Sequence, residues 1–449
     1  MSDKILNKKY SLLLWMLIVG FLIGCSINNK NSKVLGKDIT MFVANDIHYL
    51  VKDLYVKGNA FQYYLDTSDG KLIHYIDEIM LAFTNDIAKK KPDILILSGD
   101  LTNNGEKESH VQLAERLDEI EQQTGTRIYV VPGNHDLLNP WARGFTETEQ
   151  YITDTISPDD FEKIYNSFGY EEAVSRDKSS LSYLVAPSDD LWLLMLDTCI
   201  YDFNELIGAP TTNGEISSDT FEWIKKCSKM AKEKNAQIVT VMHHNLFNHS
   251  ELLNSGFTLD NNEKALKIYQ ESDFPLVLSG HIHIQDIRSS GVEGNDTVYD
   301  IATSALSVYP VQYGVLKFDP SQGFDYSTSR VDVENWAKES DSKDENLIHF
   351  EEYAKGYFAD LSYNQAYDAL TKVGSNSEQE KELMSKTMSL LNIYYFGGTV
   401  DSIKDDVLES EGYHLWQKAN EPEFLRAYIL NILEESNANM NELQIPLPE

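Results

Sequence analysis

The chain contains a series of short apolar runs, five of which are followed within two residues by a small block of aspartate, asparagine, histidine and glycine. The runs predict buried strands at Ile39–Ala44, Ile94–Leu97, Ile128–Val131, Leu191–Leu196, Ile238–Met242 and Leu276–Leu278. Amphipathic stretches between them predict helices at Ile73–Lys90, Glu106–Gln123, Ser217–Lys234 and Asn262–Gln270. Strands that alternate with helices indicate a layered α/β domain in which helices cover central sheets.

The character of the sequence changes near Asp332. Upstream of it, extra strands are predicted at Ser180–Ala186, Thr297–Thr303 and Gly314–Phe318. Downstream, helices are predicted at Ile348–Phe358, Tyr363–Val373, Glu378–Tyr395, Ser402–Glu409 and Glu423–Glu435, with a break at Gly397-Gly398. A chain of 449 residues is too long for one ordinary core. We therefore predict an α/β domain over 39–332 and a smaller all-α C-terminal domain over 333–449.

The N-terminus has the features of an export signal. Three lysines in the first nine residues precede the apolar run Ser11–Ile23, which is too short to span a membrane comfortably. The run ends in Leu-Ile-Gly-Cys-Ser, which resembles the signal of bacterial lipoproteins, in which the cysteine becomes lipidated. We predict a signal peptide over 1–25, lipid on Cys25, and a polar tether over 26–38. A plain signal peptide or a short anchor is the alternative, and either interpretation implies export. Lipid would hold the protein on the extracytoplasmic face of the membrane.

The charge of the chain excludes one class of partner. The formal net charge is -33, and such a surface repels nucleic-acid polymers. A small anionic substrate remains compatible with this charge, because bound metal cations can invert the local field. Besides Cys25 the chain has Cys199 and Cys227, which we interpret as isolated cysteines. No Cys-x-x-Cys pair is present, so a zinc ribbon is excluded.

The five polar blocks contain residue types that bind metal ions. They are Asn45-Asp46-Ile47-His48, Ser98-Gly99-Asp100, Gly133-Asn134-His135-Asp136, Met242-His243-His244-Asn245 and Ser279-Gly280-His281-Ile282-His283. Because ligands bind at the carboxyl ends of strands in α/β sheets, these blocks are expected to converge on one rim. Carboxylate oxygens and neutral imidazoles suit borderline divalent ions, and two such ions can clamp an in-line displacement at phosphorus.

The order of these blocks resembles the calcineurin-like metallophosphoesterase superfamily. The resemblance rests on Asp-x-His, Gly-Asp, Gly-Asn-His-Asp, His and Gly-His-x-His, and it spans roughly residues 39–320. It implies a layered α/β/β/α sandwich. It also implies a dinuclear centre of manganese, iron or zinc that hydrolyses phosphate esters by attack of a hydroxide bridging the metals.

The resemblance also implies a role for each matching residue. One metal would be held by Asp46, His48, Asp100 and His283. The other would be held by Asp100, Asn134, His243 and His281. Asp100 would bridge the two metals. His135 would be the catalytic residue that contacts the phosphate and protonates the leaving oxygen.

Polar neighbours of these blocks have more than one interpretation. His244 is interpreted as a support for the ligands or for the fold. Asp136 either orients His135 or caps a turn. His249 is interpreted as a solvated loop residue, with substrate contact as the alternative. A turn role and substrate contact are both open for Asn103 and Asn104. Two histidines in predicted helices are interpreted as bystanders, namely His74 and His110.

The sequence after the bridging aspartate favours one branch of the superfamily. Gly-Asp-Leu-Thr-Asn-Asn-Gly-Glu, at 99–106, resembles the branch that contains class III cyclic-nucleotide phosphodiesterases. Purple acid phosphatases have a tyrosine ligand shortly after this aspartate, and none is present here. We therefore predict a phosphodiesterase acting on small phosphodiesters, such as cyclic nucleotides or related nucleotide diesters. The alternatives are a phosphomonoesterase or nucleotidase, or a non-catalytic lipoprotein that captures a ligand.

Overall fold

The structure, a computed structural model, describes residues 36–291, 297–436 and 438–447. The predicted signal peptide, Cys25 and nearly all of the tether lie outside these ranges. Within the described ranges, no helix is both long enough and apolar enough to cross a membrane. Cys199 and Cys227 are both free thiols, as the sequence predicts.

The described strands and helices are interspersed over residues 39–330, and one further strand lies near the C-terminus. The strands are β1 Ile39–Ala44, β2 Ile94–Ser98, β3 Arg127–Val131, β4 Arg143–Phe145, β5 Gln150–Ile152, β6 Ser175–Arg176, β7 Tyr183–Val185, β8 Leu191–Leu196, β9 Gln237–Met242, β10 Leu276–Ser279, β11 Asp286–Ser289, β12 Tyr299–Ala302, β13 Gln312–Asp319, β14 Gly323–Arg330 and β15 Glu442–Pro446. The α-helices of this part are α1 Asn59–Asp66, α2 Ile76–Lys90, α3 Lys107–Thr124, α4 Pro158–Ile164, α5 Asn204–Ile207, α6 Ser218–Lys232 and α7 Asn262–Ser272.

The last third of the chain is mostly helical. Its helices are α8 Val333–Glu339, α9 Glu345–Ile348, α10 Phe350–Val373, α11 Glu378–Phe396, α12 Lys404–Glu409, α13 Glu411–Lys418 and α14 Glu423–Glu435. Local capping sets several boundaries. Gly374 ends α10 at a φ of 73°, where a side chain would be strained. Ser377 then begins α11 with a capping box that it forms with Glu380.

Two sheets form the centre of the fold. The first has the order β15-β14-β13-β1-β2-β3, and the second has the order β11-β12-β10-β9-β8-β7-β6. Strands β1, β2 and β3 are parallel neighbours, as are β8, β9, β10 and β12. The carboxyl ends of the parallel strands in each sheet therefore lie along one edge, which is where the polar blocks follow.

Side-chain alternation stacks these sheets into four layers. In β9, Val239 and Val241 pack in the same core as residues of the first sheet. Their neighbours Ile238 and Met242 pack instead in a separate core with α6 and α7. Because successive side chains of a strand point to opposite faces, the second sheet lies between the first sheet and these helices. The predicted α/β/β/α sandwich is confirmed.

The C-terminal helices have their own core. Leu370, Met384, Leu391 and Trp416 are buried in it, and the indole of Trp416 donates to the carbonyl of Met384 at 2.8 Å. This arrangement agrees with the predicted helical region. The two helices predicted at 348–358 and 363–373 are one continuous helix, because the residues between them include neither proline nor glycine.

The chain returns to the first sheet after its last helix. Strand β15 pairs antiparallel with β14, whose own presence the sequence analysis missed. The expectation of an all-α segment up to residue 449 is thus wrong for 442–446. The strand is five residues long, and only Ile445 is buried. So short a run carries a weak periodic signal, and its pairing partner lies more than a hundred residues away.

Candidate metal centre

Main-chain hydrogen bonds lock the loops that follow the strands to one another. The amide of Asp46 donates to the carbonyl of Gly99 at 3.1 Å, and the amide of His48 donates to that of Asp100 at 2.9 Å. In the second sheet the amide of Gly280 donates to the carbonyl of His243 at 3.0 Å. The amide of His281 donates to the carboxylate of Asp46 at 3.0 Å, which links the two sheets. The blocks that are distant in sequence thus meet at one place.

The backbone at this place is strained. Five non-glycine residues have left-handed φ angles, namely Asp46 (51°), His48 (48°), Asp100 (46°), His281 (70°) and His283 (65°). Such a conformation costs a non-glycine residue of the order of 1–3 kcal/mol and persists only where the surroundings impose it. Strain of this kind concentrates at functional sites. Here it falls on five residues that the sequence analysis assigns to metals.

Glycines allow the loops to approach closely. A side chain on Gly133 would overlap the amide nitrogen of Asp100, and one on Gly99 would overlap the imidazole of His243. Gly99 also has a φ of 100°. Glycine is therefore required at both positions for the loops after β2, β3 and β9 to meet.

The candidate ligands form two groups that share one carboxylate. In each group the potential ligand atoms lie within 4.8 Å of one another. The first group consists of Asp46, His48, Asp100 and His283. The second consists of Asp100, His243 and His281. The amide oxygen of Asn134 lies 3.1 Å from Nε2 of His243, which adds it to the second group. The structure thus brings all seven predicted ligands together, while their roles as ligands stay predictions.

Hydrogen bonds fix which nitrogen of two histidines faces the centre. Nδ1 of His243 lies 3.1 Å from the carbonyl of Ser98, so it carries the proton and Nε2 faces Asp100. Nε2 of His281 lies 2.8 Å from the carbonyl of Gly256, which leaves Nδ1 as the potential ligand. A partner on the far nitrogen is the usual way in which proteins orient a metal-binding histidine.

The protonation states suit metal binding. Burial would raise the pKa of Asp100, but the surrounding histidines, His243 first, hold that pKa well below its usual value. Burial lowers the pKa of His48 and of His281 well below the usual range. Burial would lower the pKa of His243, but Asp100, together with Asp46 and the carbonyl of Ser98, raises it to about 9. The centre therefore has an ionised Asp100 beside neutral His48 and His281, whereas His243 is protonated and would release its Nε2 proton when a cation binds.

Several polar atoms at the centre have no protein partner that would explain their burial. Nε2 of His48 and Nε2 of His283 face each other at 3.2 Å, a distance at which two lone pairs repel unless a cation or proton lies between them. Within the described ranges, Nδ1 of His48 and Nδ2 of Asn134 are buried without a hydrogen-bond partner. Oxygen and imidazole donors are the set that zinc, iron and manganese accept. The oxygen and imidazole donors present therefore fit metal ions of this kind.

His135 lies at the open side of this centre. Its Nδ1 is 3.0 Å from the carbonyl of Asn103, and its Nε2 is 4.0 Å from a carboxylate oxygen of Asp100. The side chain of His135 is 19% exposed and that of His283 is 14% exposed, whereas those of His48 and Asp100 are 0% and 1% exposed. A substrate can therefore reach the centre on the side of His135. Burial lowers the pKa of His135 to about 4, so its ring is neutral at pH 7.

Two residues beside His135 support the turns. The carboxylate of Asp136 accepts hydrogen bonds from the amides of Leu101, Thr102 and Gly133 at 2.8–3.0 Å. Of the two interpretations of Asp136, capping a turn is therefore the one that the structure bears out. His110 is buried behind it, with Nε2 at 3.0 Å from the carbonyl of Asp136. His110 supports the fold and does not reach the open side of the centre.

The interpretation of His249 as a solvated residue is wrong. Its ring is buried between two carboxylates, with Nδ1 2.8 Å from Asp286 and Nε2 3.1 Å from Asp300. Burial would lower the pKa of His249, but the two carboxylates raise it to about 9. His244 is also buried, and its Nδ1 contacts Thr198 at 2.8 Å, in agreement with a supporting role.

The remaining neighbours are held within the protein. The side-chain oxygen of Asn103 accepts from Tyr64 at 2.8 Å, and that of Asn104 lies 3.0 Å from Nδ1 of His135. The side-chain oxygens of both asparagines thus have partners within the protein, and that of Asn104 contacts His135 itself. His74 contacts Tyr353 at 2.7 Å, away from the centre, as expected for a bystander. The sequence analysis missed Lys71, a buried cation beside the centre that belongs to no motif.

Comparison with known proteins agrees with this geometry. A model of the calcineurin-like phosphoesterase family matches residues 39–285, which is more than half of the chain. A second model, of the C-terminal domain of cyclic nucleotide phosphodiesterase, matches residues 332–439. A protein from Arcobacter nitrofigilis, named "Probable glycerophosphodiester phosphodiesterase GpdQ", is 34% identical over 89 residues. This match covers 19% of the chain and spans about a third, 31%, of that relative.

Solved structures with a similar arrangement have low sequence identity to the chain. A dimetal phosphatase from Danio rerio has a TM-score of 0.46 at 10% identity, covering 65% of this chain and 95% of that one. A purple acid phosphatase from yellow lupin, Lupinus luteus, has a TM-score of 0.43 at 13% identity, covering 66% of this chain and 52% of that one.

The donor groups, the shared Asp100 and the family match over residues 39–285 lead to one conclusion. The chain belongs to the calcineurin-like phosphoesterase family.

Proposed function

We propose that the protein is a metal-dependent phosphodiesterase that hydrolyses small phosphodiesters, such as cyclic nucleotides or related nucleotide diesters. The observation that carries this proposal is the pair of donor groups that share Asp100, with His135 beside them at the open side. One group and the shared carboxylate would hold the first metal ion, and the other group would hold the second. When bound, the ions would supply Lewis acidity and a water that ionises near neutral pH.

The protein residues around the ions position the substrate and handle its proton. Asp100 and the histidines are fixed by hydrogen bonds and by the strained backbone, so that they need little rearrangement to hold the charge of a phosphoryl group. His135 keeps its orientation through the contact of Nδ1 with the carbonyl of Asn103. Its Nε2 is then free to donate a proton to the leaving oxygen, and the negative charge of a bound phosphoryl group favours the protonated ring.

Two findings support a diester over a monoester. The helical region matches the C-terminal domain of cyclic nucleotide phosphodiesterase, and the relative from Arcobacter nitrofigilis is named for a phosphodiester substrate. A phosphomonoesterase or nucleotidase is the second candidate, since the metals would recognise the phosphoryl group of either substrate. The complete donor set argues against a lipoprotein that captures a ligand without catalysis.

The proposal can be tested on protein that has been stripped of metal with a chelator. The stripped protein would be reloaded with manganese, iron or zinc and assayed on a cyclic nucleotide, a glycerophosphodiester and a nucleoside monophosphate. We expect metal-dependent hydrolysis of at least one diester. Hydrolysis of the monophosphate alone would favour the second candidate, and no hydrolysis with any metal would contradict both.

The bridging role of Asp100 can be tested by Asp100→Asn. Asparagine offers one neutral oxygen where two metals would share a carboxylate, so we expect loss of at least one metal and of hydrolysis. Elemental analysis of the purified variant measures the metal content. Asp325→Asn, on the exposed face of β14, is the matched control and should keep both properties. Two metals retained with near-normal activity in Asp100→Asn would exclude the bridge.

We also propose that the protein is exported and held on the membrane by lipid on Cys25. The support is the sequence alone, namely the basic N-terminus, the apolar run and Leu-Ile-Gly-Cys-Ser. Wild-type protein should partition with membranes, and mass spectrometry should show a mature N-terminus at a lipidated Cys25. Cys25→Ala should remove the lipid. An unmodified terminus that begins elsewhere would refute this proposal.

A further inference from the structure

Lys71 is a cation that is buried without a close counter-charge. Its side chain is only 8% exposed. Among the residues that the structure describes, the single ion pair of its ammonium is with Asp69, at 3.8 Å, and the side chain of Asp69 is 78% exposed. Removing an ammonium from water costs several kcal/mol, and a long pair with a solvated carboxylate offsets little of that cost. A second source of negative charge is expected at this position.

Hydrogen bonds place Lys71 beside the metal centre. The amide of the next residue, Leu72, donates to the carbonyl of Ser307 at 2.7 Å. The hydroxyl of Ser307 donates in turn to the carbonyl of Asp46 at 2.7 Å, and Asp46 is a candidate ligand. On its other side the loop is tight against α10, because a side chain on Gly70 would come within 2.7 Å of the Phe358 ring. The loop is therefore fixed between α10 and the centre.

The charge of Lys71 reaches the open side of the centre. Lys71 lowers the pKa of Asp69. His283 and His135 also lower the pKa of Asp69, which places the pair of Lys71 and Asp69 at the open side of the centre. The same open side has His135 and His283 at its edge, the partly exposed histidines of the centre. An anion that enters beside His135 thus meets the field of a lysine as well as that of the metals.

We propose that Lys71 binds a non-bridging oxygen of the substrate phosphoryl group, and that Asp69 pairs with its ammonium when no substrate is bound. This inference rests on the proposed function, since it names a further residue of the same site. A lysine ammonium is a compact point charge that suits phosphate oxygens. The phosphate takes the place that Asp69 holds in the free protein, and the exposed carboxylate of Asp69 moves into water.

The charge of a phosphate ligand determines how strongly its binding depends on Lys71. A phosphomonoester or inorganic phosphate is mainly a dianion near pH 8, whereas a diester is a monoanion. The attraction of one ammonium for a dianion is about twice that for a monoanion at the same distance. Lys71 therefore favours doubly charged ligands, and its removal should shift the preference of the site toward diesters.

The test compares Lys71→Met, Asp69→Asn and the control Lys225→Gln, which removes an exposed lysine of α6. Methionine keeps much of the length of the side chain and removes its charge. Isothermal titration would measure the binding of inorganic phosphate to metal-loaded protein, with metal content and melting temperature recorded for each variant. Rates would be measured on bis(p-nitrophenyl) phosphate and on p-nitrophenyl phosphate.

In Lys71→Met we expect phosphate to bind about 10- to 100-fold more weakly, the usual effect of losing a hydrogen bond to a charged group. The metal content should be unchanged, the melting temperature should be equal or higher, and the monoester should lose more kcat/KM than the diester. Asp69→Asn should bind phosphate more tightly than wild type, because the competing carboxylate is gone. Lys225→Gln should behave as wild type.

Phosphate affinity within twofold of wild type in Lys71→Met would overturn the inference. A lower melting temperature of Lys71→Met with unchanged phosphate affinity would also overturn it, because Lys71 would then stabilise the fold through its ion pair with Asp69. Weaker phosphate binding in Asp69→Asn would overturn the competition between Asp69 and phosphate. If the wild type hydrolyses neither ester with any metal, the proposed function fails, while the phosphate titration still decides the role of Lys71.

Discussion

His135 differs from the histidines around it in the way that its ring is held. A main-chain carbonyl contacts its Nδ1, its ring packs edge-on against His48 with centroids 5.0 Å apart, and one edge is open to solvent. His243 and His281 are instead buried within the donor groups. A ring that is fixed at one nitrogen and open at the other can exchange a proton with a substrate while the metal ligands stay in place.

The leaving group decides how much His135 should matter. An alkoxide leaving oxygen needs a proton, whereas a nitrophenolate hardly needs one. His135→Ala should keep both metals and reduce the rate on alkyl phosphodiesters by roughly 10²–10⁴. The loss on a nitrophenyl ester should be clearly smaller. The check is a comparison of both rates in the variant and in His414→Ala, which removes an exposed histidine of α13. An equal loss on both substrates would make His135 a positioning residue.

The convergence of the candidate ligand residues could be predicted because each of them lies in a short block of metal-binding residue types. Gly-Asn-His-Asp and Gly-His-x-His combine metal-binding side chains with glycines at fixed spacing, so local sequence was sufficient. Lys71 and His249 carry no such signal. Their environments are formed by residues far away in the chain. The loop of Lys71 is held through Ser307 and Asp46, and His249 lies between Asp286 and Asp300. A lone lysine or histidine in a sequence does not reveal burial of this kind.

At the scale of elements, the loop after β10 joins the metal centre to the C-terminal helices. His281 and His283 face the donor groups, while the alternate residues Ile282 and Ile284 pack in the core of the helical region. Alternate residues of one short loop thus serve two tasks, with the left-handed backbone at His281 and His283 setting their direction. The helical region packs behind the loop that carries these two candidate ligands, a role that its sequence alone did not reveal.

A buried charge network holds the same loop from the other side. Asp300 accepts from the hydroxyl of Ser279 at 2.7 Å and from the amide of Leu246 at 2.7 Å. His249 lies between Asp300 and Asp286, and Arg288 contacts Asp286 at 2.6 Å. The network therefore ties the segment after β9 to β10, β11 and β12.

The network makes stability depend on pH. The pKa of His249 is about 9 in the folded protein, against an ordinary value of 6.5. The contribution of protonated His249 to the free energy of unfolding is fully present below about pH 6.5 and is lost as the pH rises through about 9. Each unit by which the pKa is raised corresponds to roughly 1.4 kcal/mol. Urea unfolding of the wild type and of His249→Gln between pH 6 and 9.5 measures this contribution. The difference in unfolding free energy should shrink as the pH rises, with the exposed His414→Gln as control. A constant difference would show that the ring is neutral in the folded protein.

At the scale of the whole molecule, the C-terminal segment closes the fold on itself. After the last helix, the carbonyl of Met440 accepts from Gln285 at 2.8 Å, close to His283 in the chain. Asn441 donates to the carbonyl of Gly397 at 2.9 Å and accepts from Thr328 at 2.7 Å. Strand β15 then joins the edge of the first sheet. The helical region is thus held to the α/β domain by this segment as well as by the core around Ile282.

The α/β layers and most helices could be predicted, because their periodic patterns extend over many residues and agree with the polar blocks at the strand ends. The return of the chain to the first sheet could not be predicted from the sequence. Strand β15 is short and mostly exposed, and its place depends on a free edge that β14 provides from far upstream. Nothing in the local sequence of 442–446 distinguishes such a strand from a polar tail.

Gly323 offers a way to test whether this closure stabilises the protein. Its φ is 116°, and a side chain there would overlap the carbonyl oxygen of Ile445. Gly323→Ala should therefore displace β15, lower the melting temperature and expose residues 438–447 to protease. The control is Gly125→Ala, because Gly125 has a φ of 75° and no atom of the described residues lies within 4 Å of the added carbon. That variant bears only the backbone strain of about 1 kcal/mol.

Comparison of the two variants separates the effect of backbone strain from the effect of displacing β15. Both residues lie outside the donor groups, so neither substitution removes a candidate ligand. Limited proteolysis with mass spectrometry would locate the first cleavage, and hydrogen exchange would show whether the amides of β14 lose protection. If β15 closes the fold, Gly323→Ala should be cleaved near its C-terminus and should exchange faster in β14, whereas Gly125→Ala should do neither. Because Gln285 links this segment to the loop of His283, metal should also bind more weakly in Gly323→Ala. Equal melting temperatures and unchanged cleavage in the two variants would mean that β15 contributes little, and that the core around Ile282 and the packing of α10 join the helical region to the α/β domain.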